Sequence, residues 1–362
     1  MEKPDLRKTA LYEKHLELGA KMVDYSGFEM PVSYDGLKVE HASVREKVGM
    51  FDVSHMGEFT IKGEDALEVL QNITTNDVSK LNDGKIQYSC IPNGKGGIVD
   101  DLLIYRMSEG NYMLVVNASN MDKDWDFISH KIKDGAYNVT FENKSDGLAL
   151  IALQGPNATD ALSPLMSVNP EDLAYYTFIS AEILGVKCIV SATGYTGAGG
   201  YELYIPVEHS GMVWSKLLEN GVTPCGLGAR DTLRMEMGFC LYGNDIDETT
   251  NAIEAGLGWI TKFSKDFTDK NLLEEVKAAG PSRRLKGLKM IGRGIPRNGY
   301  EVVTQSGEVV GQVTSGTMSP TLGYGIGMAY INSEFSKNGN KLSVRIRNKN
   351  IEAEVVMFPF LK

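Results

Sequence analysis

The order of hydrophobic patterns between residues 55 and 145 constrains the fold more than any other feature of this chain. Alternating apolar residues predict strands, and apolar residues that recur every three or four positions predict helices. The segment predicts a strand, a helix, three strands, a helix and a strand, at residues 58–62, 66–73, 86–91, 98–107, 112–117, 121–132 and 137–141. This is the succession of a ferredoxin-like split βαβ unit with one extra strand.

The segments on either side of this unit mix helices and strands. Helices are predicted near residues 11–19 and 37–49, and a loop with Gly27, Pro31 and Gly36 between them. Further strands are predicted at 148–154, 177–183, 188–191 and 201–206, and further helices from 157, at 213–218 and from 226. If the ferredoxin-like unit, residues 54–144, is an insertion, residues 1–53 and 145–275 build one discontinuous α+β domain.

The last part of the chain is a run of strands. A helix at 270–279 is followed by Gly280-Pro281-Ser282, which is typical of a break between domains. Strands are then predicted at 285–290, 300–304, 309–314, 325–331, 342–347 and 351–357. Residues 282–362 are therefore expected to form an antiparallel barrel or jelly-roll-like domain, which makes the fold class α+β with three domains.

Two adjacent carboxylates, Asp100 and Asp101, stand where a glycine-rich turn enters an apolar strand. Because side chains in a strand alternate faces, Asp101 and Tyr105 share one side, Asp100 takes the other, and one carboxylate must point inward. Buried acids are uncommon unless they are paired or used, since burial moves the pKa into a range useful for proton transfer. Capping of the turn is the alternative role for such a pair.

Composition excludes several classes of function. The formal net charge of -10 and the pI of about 5.2 argue against nucleic acid or an anionic membrane as the main partner. The four cysteines are far apart and lack ligand spacing, so we expect reduced thiols and no metal. The first residues lack an apolar signal core, and no apolar run approaches membrane-spanning length, so a cytoplasmic location is expected.

Some features leave two interpretations open. Glycines between Gly194 and Gly200 resemble a phosphate cradle, but a strand rather than a helix is predicted to follow, so turns and close backbone approach are favoured. His41 lies on a helical apolar stripe and is expected to be a core histidine rather than a ligand. Arg230 opposes the dipole at a helix start, where a surface ion pair is its alternative role.

The chain resembles the T-protein family of the glycine cleavage system nearly end to end. The segments that carry the resemblance are residues 48–57, 96–101, 174–176, 193–197, 226–231 and 314–316. The resemblance implies three domains that form a cloverleaf around a central channel, which holds tetrahydrofolate. It also implies that the aminomethyl group on the dihydrolipoyl arm of the H protein loses ammonia and passes its methylene to tetrahydrofolate, giving 5,10-methylenetetrahydrofolate.

Site residues follow from the same resemblance. The family's catalytic aspartate falls on Asp101, and its pterin contact falls on Glu202. Aromatic side chains that could sandwich the flat rings of folate are Tyr88, Tyr105, Tyr175 and Tyr176, although core packing is the alternative role of each. The other positions that match the family's pocket are Met56, Asn117, Tyr195, Arg230 and Tyr242. No metal is implied.

Two other functions remain open at this stage. One is a folate-binding protein without aminomethyl transfer, and the other is a different folate-dependent demethylase of the same fold. A family H protein is acidic, as this chain is, so docking calls for a local basic face. The densest basic segment contains Arg283, Arg284, Lys286, Lys289, Arg293 and Arg297, and we expect Arg293 and Arg297 to contact the carrier. Solvated charges are the alternative role of this segment.

Overall fold

In the computed structural model, which describes residues 6–361, helices and strands follow the predicted order over most of the chain. The helices are Tyr12–Glu17 (α1), Leu37–Glu46 (α2), Ala66–Ile73 (α3), Met121–Asp134 (α4), Ala158–Leu162 (α5), Ser210–Glu219 (α6), Leu227–Met237 (α7) and Lys270–Ala279 (α8). The first strands are Lys21–Tyr25 (β1), Phe28–Ser33 (β2), Gly49–Asp52 (β3), Gly57–Lys62 (β4), Ile86–Pro92 (β5), Ile98–Ser108 (β6), Asn111–Val116 (β7), Thr140–Asn143 (β8), Leu148–Gln154 (β9) and Phe178–Ile183 (β10). They are followed by Val186–Ser191 (β11), Gly200–Pro206 (β12), Thr223–Pro224 (β13), Arg283–Met290 (β14), Glu301–Val303 (β15), Val309–Met318 (β16), Gly325–Asn332 (β17), Lys341–Ile346 (β18) and Lys349–Val356 (β19).

The chain divides into two compact units. One contains the chain up to Leu70 together with Val78–Tyr88 and Leu102–Asp231. The other contains Gln71–Asp77, Ser89–Asp101 and the chain from Thr232 onward. The three-domain boundaries remain a prediction, and residues 1–5 and 362, which those boundaries include, lie outside the described residues.

The first unit holds a six-stranded sheet in the order β10-β11-β12-β9-β3-β13. Strand β3 pairs antiparallel with β9, so segments from both sides of residues 54–144 share this sheet. One face of β12 contributes Tyr201, Leu203 and Ile205 to a core that also includes Trp214 of α6. Because strand side chains alternate, the other face of β12 presents Glu202 and Tyr204.

The ferredoxin-like prediction matches a five-stranded sheet in the order β5-β6-β7-β4-β8. Helix α4 packs on it through Trp125, which stacks on Phe141 at 4.4 Å between ring centroids and meets Phe59 edge-on. The last strand was predicted at 137–141 but begins at Thr140, because Ala136 turns the chain with a φ of 50° before the strand starts.

The prediction of a loop after α1 is wrong, because β1 and β2 form an antiparallel hairpin there. Its two-residue turn, Ser26-Gly27, has positive φ at both positions, which is typical of a type I′ hairpin. The second predicted helix is also too long: α2 ends at Glu46, and Gly49 begins β3. A Cβ at Gly49 would lie 2.6 Å from Val44, so this strand packs too closely for any larger residue.

The second unit contains the predicted barrel. Its six antiparallel strands close in the order β14-β17-β16-β15-β18-β19, and β19 pairs back with β14. Apolar side chains that alternate along the strands fill the interior, among them Leu288, Val302, Val313 and Val355. Among residues 6–361, no helix is both long and apolar enough to cross a membrane.

Candidate functional site

Side-chain carboxylate and amide groups hold the glycine turn before Asp100 through its backbone. The Oδ1 atom of Asn93 accepts a hydrogen bond from the backbone N–H of Gly97 at 3.0 Å. The Oδ2 atom of Asp269 accepts from the N–H groups of Gly94 and Gly96 at 2.9 and 3.0 Å. The backbone N–H of Lys95 also donates to Oδ1 of Asn93, at 2.8 Å. Because four residues of the turn are tied to two acceptors, the entry angle of β6 is defined.

The start of β6 is also tied to the segment after α7. The backbone N–H of Ile98 donates to the carbonyl of Asp247 at 3.0 Å, and the hydroxyl of Tyr242 donates to the carbonyl of Ile98 at 2.8 Å. A Cβ on Gly97 would lie only 1.8 Å from the carbonyl oxygen of Glu248, so only glycine permits this approach. The predicted site residue Tyr242 is therefore half-buried and holds the strand that carries Asp101.

The two aspartates differ in burial, as the strand alternation predicts. Asp100 is 0% exposed and shares its face with the buried Leu102 and Ile104, whereas Asp101 is half-buried. Burial raises the pKa of the nearby Cys90 thiol, and the negative charge of Asp101 adds to that rise. Asp101 is thus the less buried residue of the pair, which suits contact with a reacting group.

In the first unit, Glu202 is a carboxylate that is only 7% exposed. Thr193 donates a hydrogen bond of 2.5 Å to its Oε2 atom. Burial raises the pKa of Glu202, while the Thr193 hydrogen bond and the positive charge of Arg230 lower it. The surroundings of Glu202 therefore control its protonation state, and a bound ligand can change it.

Arg230 is the cation beside this carboxylate. Its guanidinium lies over the ring of Tyr195 at 4.8 Å, and among the described residues its buried Nη1 atom has no hydrogen-bond acceptor. Burial lowers the pKa of His55 to about 4, and Arg230 contributes to that shift, so His55 is neutral at pH 7. Arg230 is thus a partly buried cation with one unused donor, Nη1.

The glycine segment before β12 positions Tyr195 and Thr193. The Oγ1 atom of Thr196 donates to Oε1 of Gln154 at 2.7 Å, and Nε2 of Gln154 donates to the carbonyl of Thr193 at 3.1 Å. A Cβ on Gly194 would lie 2.0 Å from that same Gln154 side chain. The glycines thus allow close backbone approach, and strand β12 follows them as predicted.

The predicted tyrosines occupy different surroundings in the first unit. Tyr105 is 0% exposed, and its hydroxyl bonds to Tyr204 and Ser191. Tyr175 is 70% exposed and meets the ring of Tyr176 edge-on at 4.8 Å. The remaining predicted positions in this unit, Met56, Tyr88 and Asn117, are half-buried.

Sequence reasoning missed Glu58, which lies on β4 and is 1% exposed. Neither of its carboxyl oxygens has a hydrogen-bond partner among the described residues. Burial raises its pKa well above the usual range, and the charge of Glu202 adds to the rise. The strand pattern was misleading here, because Glu58 alternates with Thr60 and Lys62 on what reads as a polar face.

The other residues that sequence reasoning missed are Ser191, Thr193 and Tyr204. Their types gave no signal, since Ser and Thr are common at strand ends and Tyr is common in cores. Within residues 6–361, no group of three or more His, Cys, Asp or Glu side chains is arranged to hold a metal ion. His41 is buried on α2, as expected for a core histidine.

The basic segment of the second unit is less uniform than its sequence suggests. Arg283 forms a 3.0 Å ion pair with Glu254, so its charge is compensated. Arg293 and Arg297 are exposed, and Nη1 of Arg297 donates to the carbonyl of Gly316 at 3.2 Å. Only part of the six-residue basic segment is therefore open to a partner.

Comparison with known proteins covers almost the whole chain. Residues 11–265 match the family described as the GCVT N-terminal domain, and residues 283–362 match the glycine cleavage T-protein C-terminal barrel domain. The aminomethyltransferases of Flavobacterium psychrophilum and Bacteroides fragilis are 51% and 52% identical to the chain, over 99% of it and 100% of their own lengths. The crystal structure of the glycine cleavage system aminomethyltransferase T from Bartonella henselae superposes with a TM-score of 0.93, at 31% identity, covering 99% of this chain and 98% of that one.

Proposed function

Because the chain belongs to the glycine cleavage T-protein family and is an aminomethyltransferase like its curated relatives, we propose that it transfers the methylene of a carrier-bound aminomethyl group to tetrahydrofolate. The donor is the aminomethylated dihydrolipoyl arm of the H protein. The products are ammonia, the reduced arm and 5,10-methylenetetrahydrofolate. The proposed physiological setting is glycine breakdown in the cytoplasm.

The observation that carries the folate proposal is the pairing of unused polar groups around Glu202. Arg230 offers a buried N–H without an acceptor, and Glu202 offers an oriented carboxylate. A pterin presents a carbonyl acceptor beside amide and amino donors, so its edge matches both groups. Tyr195, already beneath the Arg230 guanidinium, and the exposed Tyr175 supply aromatic surface for a flat ring.

The proposed chemical role falls to Asp101. A carbon bound to sulfur and nitrogen becomes cationic when either leaves, and a folate nitrogen loses a proton when the methylene bridge closes. A carboxylate stabilises the cation and accepts that proton, which is typically worth about 10²–10⁴-fold in rate. Asp101 suits this role because it is a half-buried residue on a strand whose start is held by hydrogen bonds.

For the partner, we propose that the exposed Arg293 and Arg297 contribute to the docking of the H protein. Their positive charges favour an acidic carrier at short range, although the chain's overall charge of -10 opposes its approach. Arg283 is left out of this face because Glu254 compensates its charge.

The proposal is tested by incubating the purified protein with aminomethylated H protein and tetrahydrofolate and measuring ammonia. We expect rapid release that requires both substrates, and controls lack tetrahydrofolate or use the H protein without its aminomethyl group. If the protein releases no ammonia but demethylates a free methylated amine in a folate-dependent reaction, it is a demethylase rather than an aminomethyltransferase. Folate binding with neither reaction would indicate a binding protein.

A further inference from the structure

A row of four buried hydroxyl groups leads to Glu202. The hydroxyls of Tyr204 and Tyr105 lie 2.8 Å apart, and Tyr105 donates to Oγ of Ser191 at 3.2 Å. Oγ of Ser191 lies 2.6 Å from Oγ1 of Thr193, which donates to Glu202. All four hydroxyl-bearing residues are buried. The row thus connects a strand of the ferredoxin-like sheet to the six-stranded sheet within the first unit.

The direction of these hydrogen bonds follows from proton counting. Each hydroxyl carries one proton and donates one hydrogen bond, and burial raises the pKa of both tyrosines, so they are neutral. Thr193 donates to the carboxylate, so Ser191 donates to Thr193 at 2.6 Å, which is much closer than the 3.4 Å between Ser191 Oγ and the backbone carbonyl of Glu202. Tyr105 donates to Ser191, which leaves Tyr204 to donate to Tyr105. All four O–H dipoles therefore point toward Glu202, and such chains strengthen each of their members.

Several titratable or charged groups surround Glu202. Arg230 on α7 favours its ionisation, whereas the charge of Glu202 raises the pKa of Glu58 on β4. Tyr175, in the segment before β10, also interacts with it electrostatically. On the neighbouring strands β9 and β11, the residues opposite Glu202 are the uncharged Ala152 and Ser191. The hydroxyl row and Arg230 are thus the groups that oppose the effect of burial.

We propose that Thr193, Ser191, Tyr105 and Tyr204 are positioning residues that keep Glu202 ionised and oriented, and so set the acidic limit of folate binding. This inference rests on the proposed role of Glu202 in pterin recognition. It also assigns Tyr105 a role through its hydroxyl rather than through its buried ring.

The test is a fluorescence titration of the full-length protein with tetrahydrofolate from about pH 5 to about pH 9, which spans the range of a raised carboxyl pKa. The native affinity should fall as acidification protonates Glu202. Thr193→Val removes the donor that contacts the carboxylate, so the pKa of Glu202 should rise further. The midpoint of the affinity profile should move upward by about one to two pH units, because hydrogen bonds to charged groups contribute about 1.5–3 kcal/mol.

Conservative variants separate the hydroxyl from the shape of the side chain. Thr193→Ser keeps the donor and should keep the native midpoint. Tyr204→Phe removes only the far end of the row and should give a smaller upward shift. The matched control is Tyr201→Phe, because Tyr201 lies on the face of β12 opposite Glu202. The hydroxyl of Tyr201 is also hydrogen-bonded, but its partners are the Thr159 hydroxyl and the carbonyl of Pro170. Its midpoint should equal the native one.

The outcomes are distinguishable. A native protein that binds no tetrahydrofolate at any pH overturns the proposed function and this inference with it. A native protein that binds normally, with unmoved midpoints in Thr193→Val and Tyr204→Phe, overturns the inference alone. Equal shifts in Thr193→Ser and Thr193→Val also overturn it, because the hydroxyl would then be irrelevant. If Thr193→Val does not fold, Tyr204→Phe and Ser191→Ala decide the question by the same midpoint.

Discussion

The segment that leads to Asp101 and the surroundings of Glu202 position their acids in opposite ways. Before Asp101, backbone N–H groups are held by Asn93 and Asp269, so the strand is fixed. Around Glu202, side-chain hydroxyls contact the carboxylate itself, with Thr193 donating directly to it. A backbone clamp thus determines where an acid stands, whereas a hydroxyl chain also acts on its charge.

The largest effect is expected on turnover, when the charge of Asp101 is removed. Asp101→Asn keeps the shape of the side chain but removes its charge, so turnover should fall about 10²–10⁴-fold while folate affinity stays close to native. The measurement is ammonia release at saturating substrates, with folate titration alongside. Asp100→Asn is the matched control, because that carboxyl is fully buried on the other face. A greater loss in the control would show that the wrong face of β6 was chosen.

The next largest effect is expected on folate affinity, when Glu202 is replaced. Glu202→Gln leaves one acceptor oxygen in place of a carboxylate, so folate affinity should fall tenfold or more, since charge-assisted hydrogen bonds contribute about 1.5–3 kcal/mol each. Turnover at saturating folate should change less than affinity. An unchanged dissociation constant in a fluorescence titration would place the pterin elsewhere.

Glu58 differs from both Asp101 and Glu202, because its buried carboxyl oxygens have no hydrogen-bond partner among the described residues. Its pKa in the folded state is raised, so the folded protein binds this proton more tightly than the unfolded chain does. As pH rises above the ordinary carboxyl pKa, the folded state therefore loses stability, by about 1.4 kcal/mol for each pKa unit of the shift. Glu58→Gln should remove that loss.

Thermal unfolding at about pH 5 and about pH 8 measures this effect. The variant should gain stability relative to the native protein at the higher pH. Glu142→Gln, on the exposed surface of β8 in the same sheet, is the control and should change stability by less than about 0.5 kcal/mol at both. Equal melting temperatures of Glu58→Gln and native protein at high pH would contradict the burial argument.

The backbone clamp itself is tested by Asp269→Gly. Glycine accepts the φ of 67° found at this position, so the change removes the acceptor for Gly94 and Gly96 without backbone strain. Turnover should fall by up to about tenfold as Asp101 becomes less well placed. The pH midpoint of folate binding should not move. Asp266→Gly, a change at an exposed carboxylate, is the control. A shifted pH midpoint of folate binding in Asp269→Gly would show that the backbone clamp before Asp101 and the hydroxyl chain at Glu202 do not act separately.

The smallest effect is expected at Arg293 and Arg297, whose side chains are exposed in the barrel segment. Reversal of Arg293 and Arg297 to Glu should raise the KM for aminomethylated H protein about two- to fivefold at low salt, since exposed ion pairs contribute ~0.2–1 kcal/mol. The native KM should rise with salt as screening increases. Reversal of Lys337 and Lys349, also exposed on the barrel, is the matched control. An unaltered KM in the Arg293 and Arg297 variant would rule this face out.

Local periodicity was enough to predict most of the architecture. The barrel strands, the five-stranded sheet and the opposite faces of Asp100 and Asp101 all follow from patterns read along a few consecutive residues. The errors lie where a turn or a close contact overrides the pattern. The hairpin at Ser26-Gly27 and the early end of α2 before Gly49 are the clearest of them.

Patterns in the amino-acid sequence predict which strand or helix holds most of the acids, tyrosines and cations. The contacts among these side chains emerge only in the folded structure. Tyr105 bonds to Ser191 and Tyr204 across 86 and 99 residues of sequence, and Arg283 pairs with Glu254 rather than joining an open basic face. The physical reason is that side-chain periodicity is a local property of the backbone, whereas contacts between distant residues depend on strand register and on how packed elements exclude water.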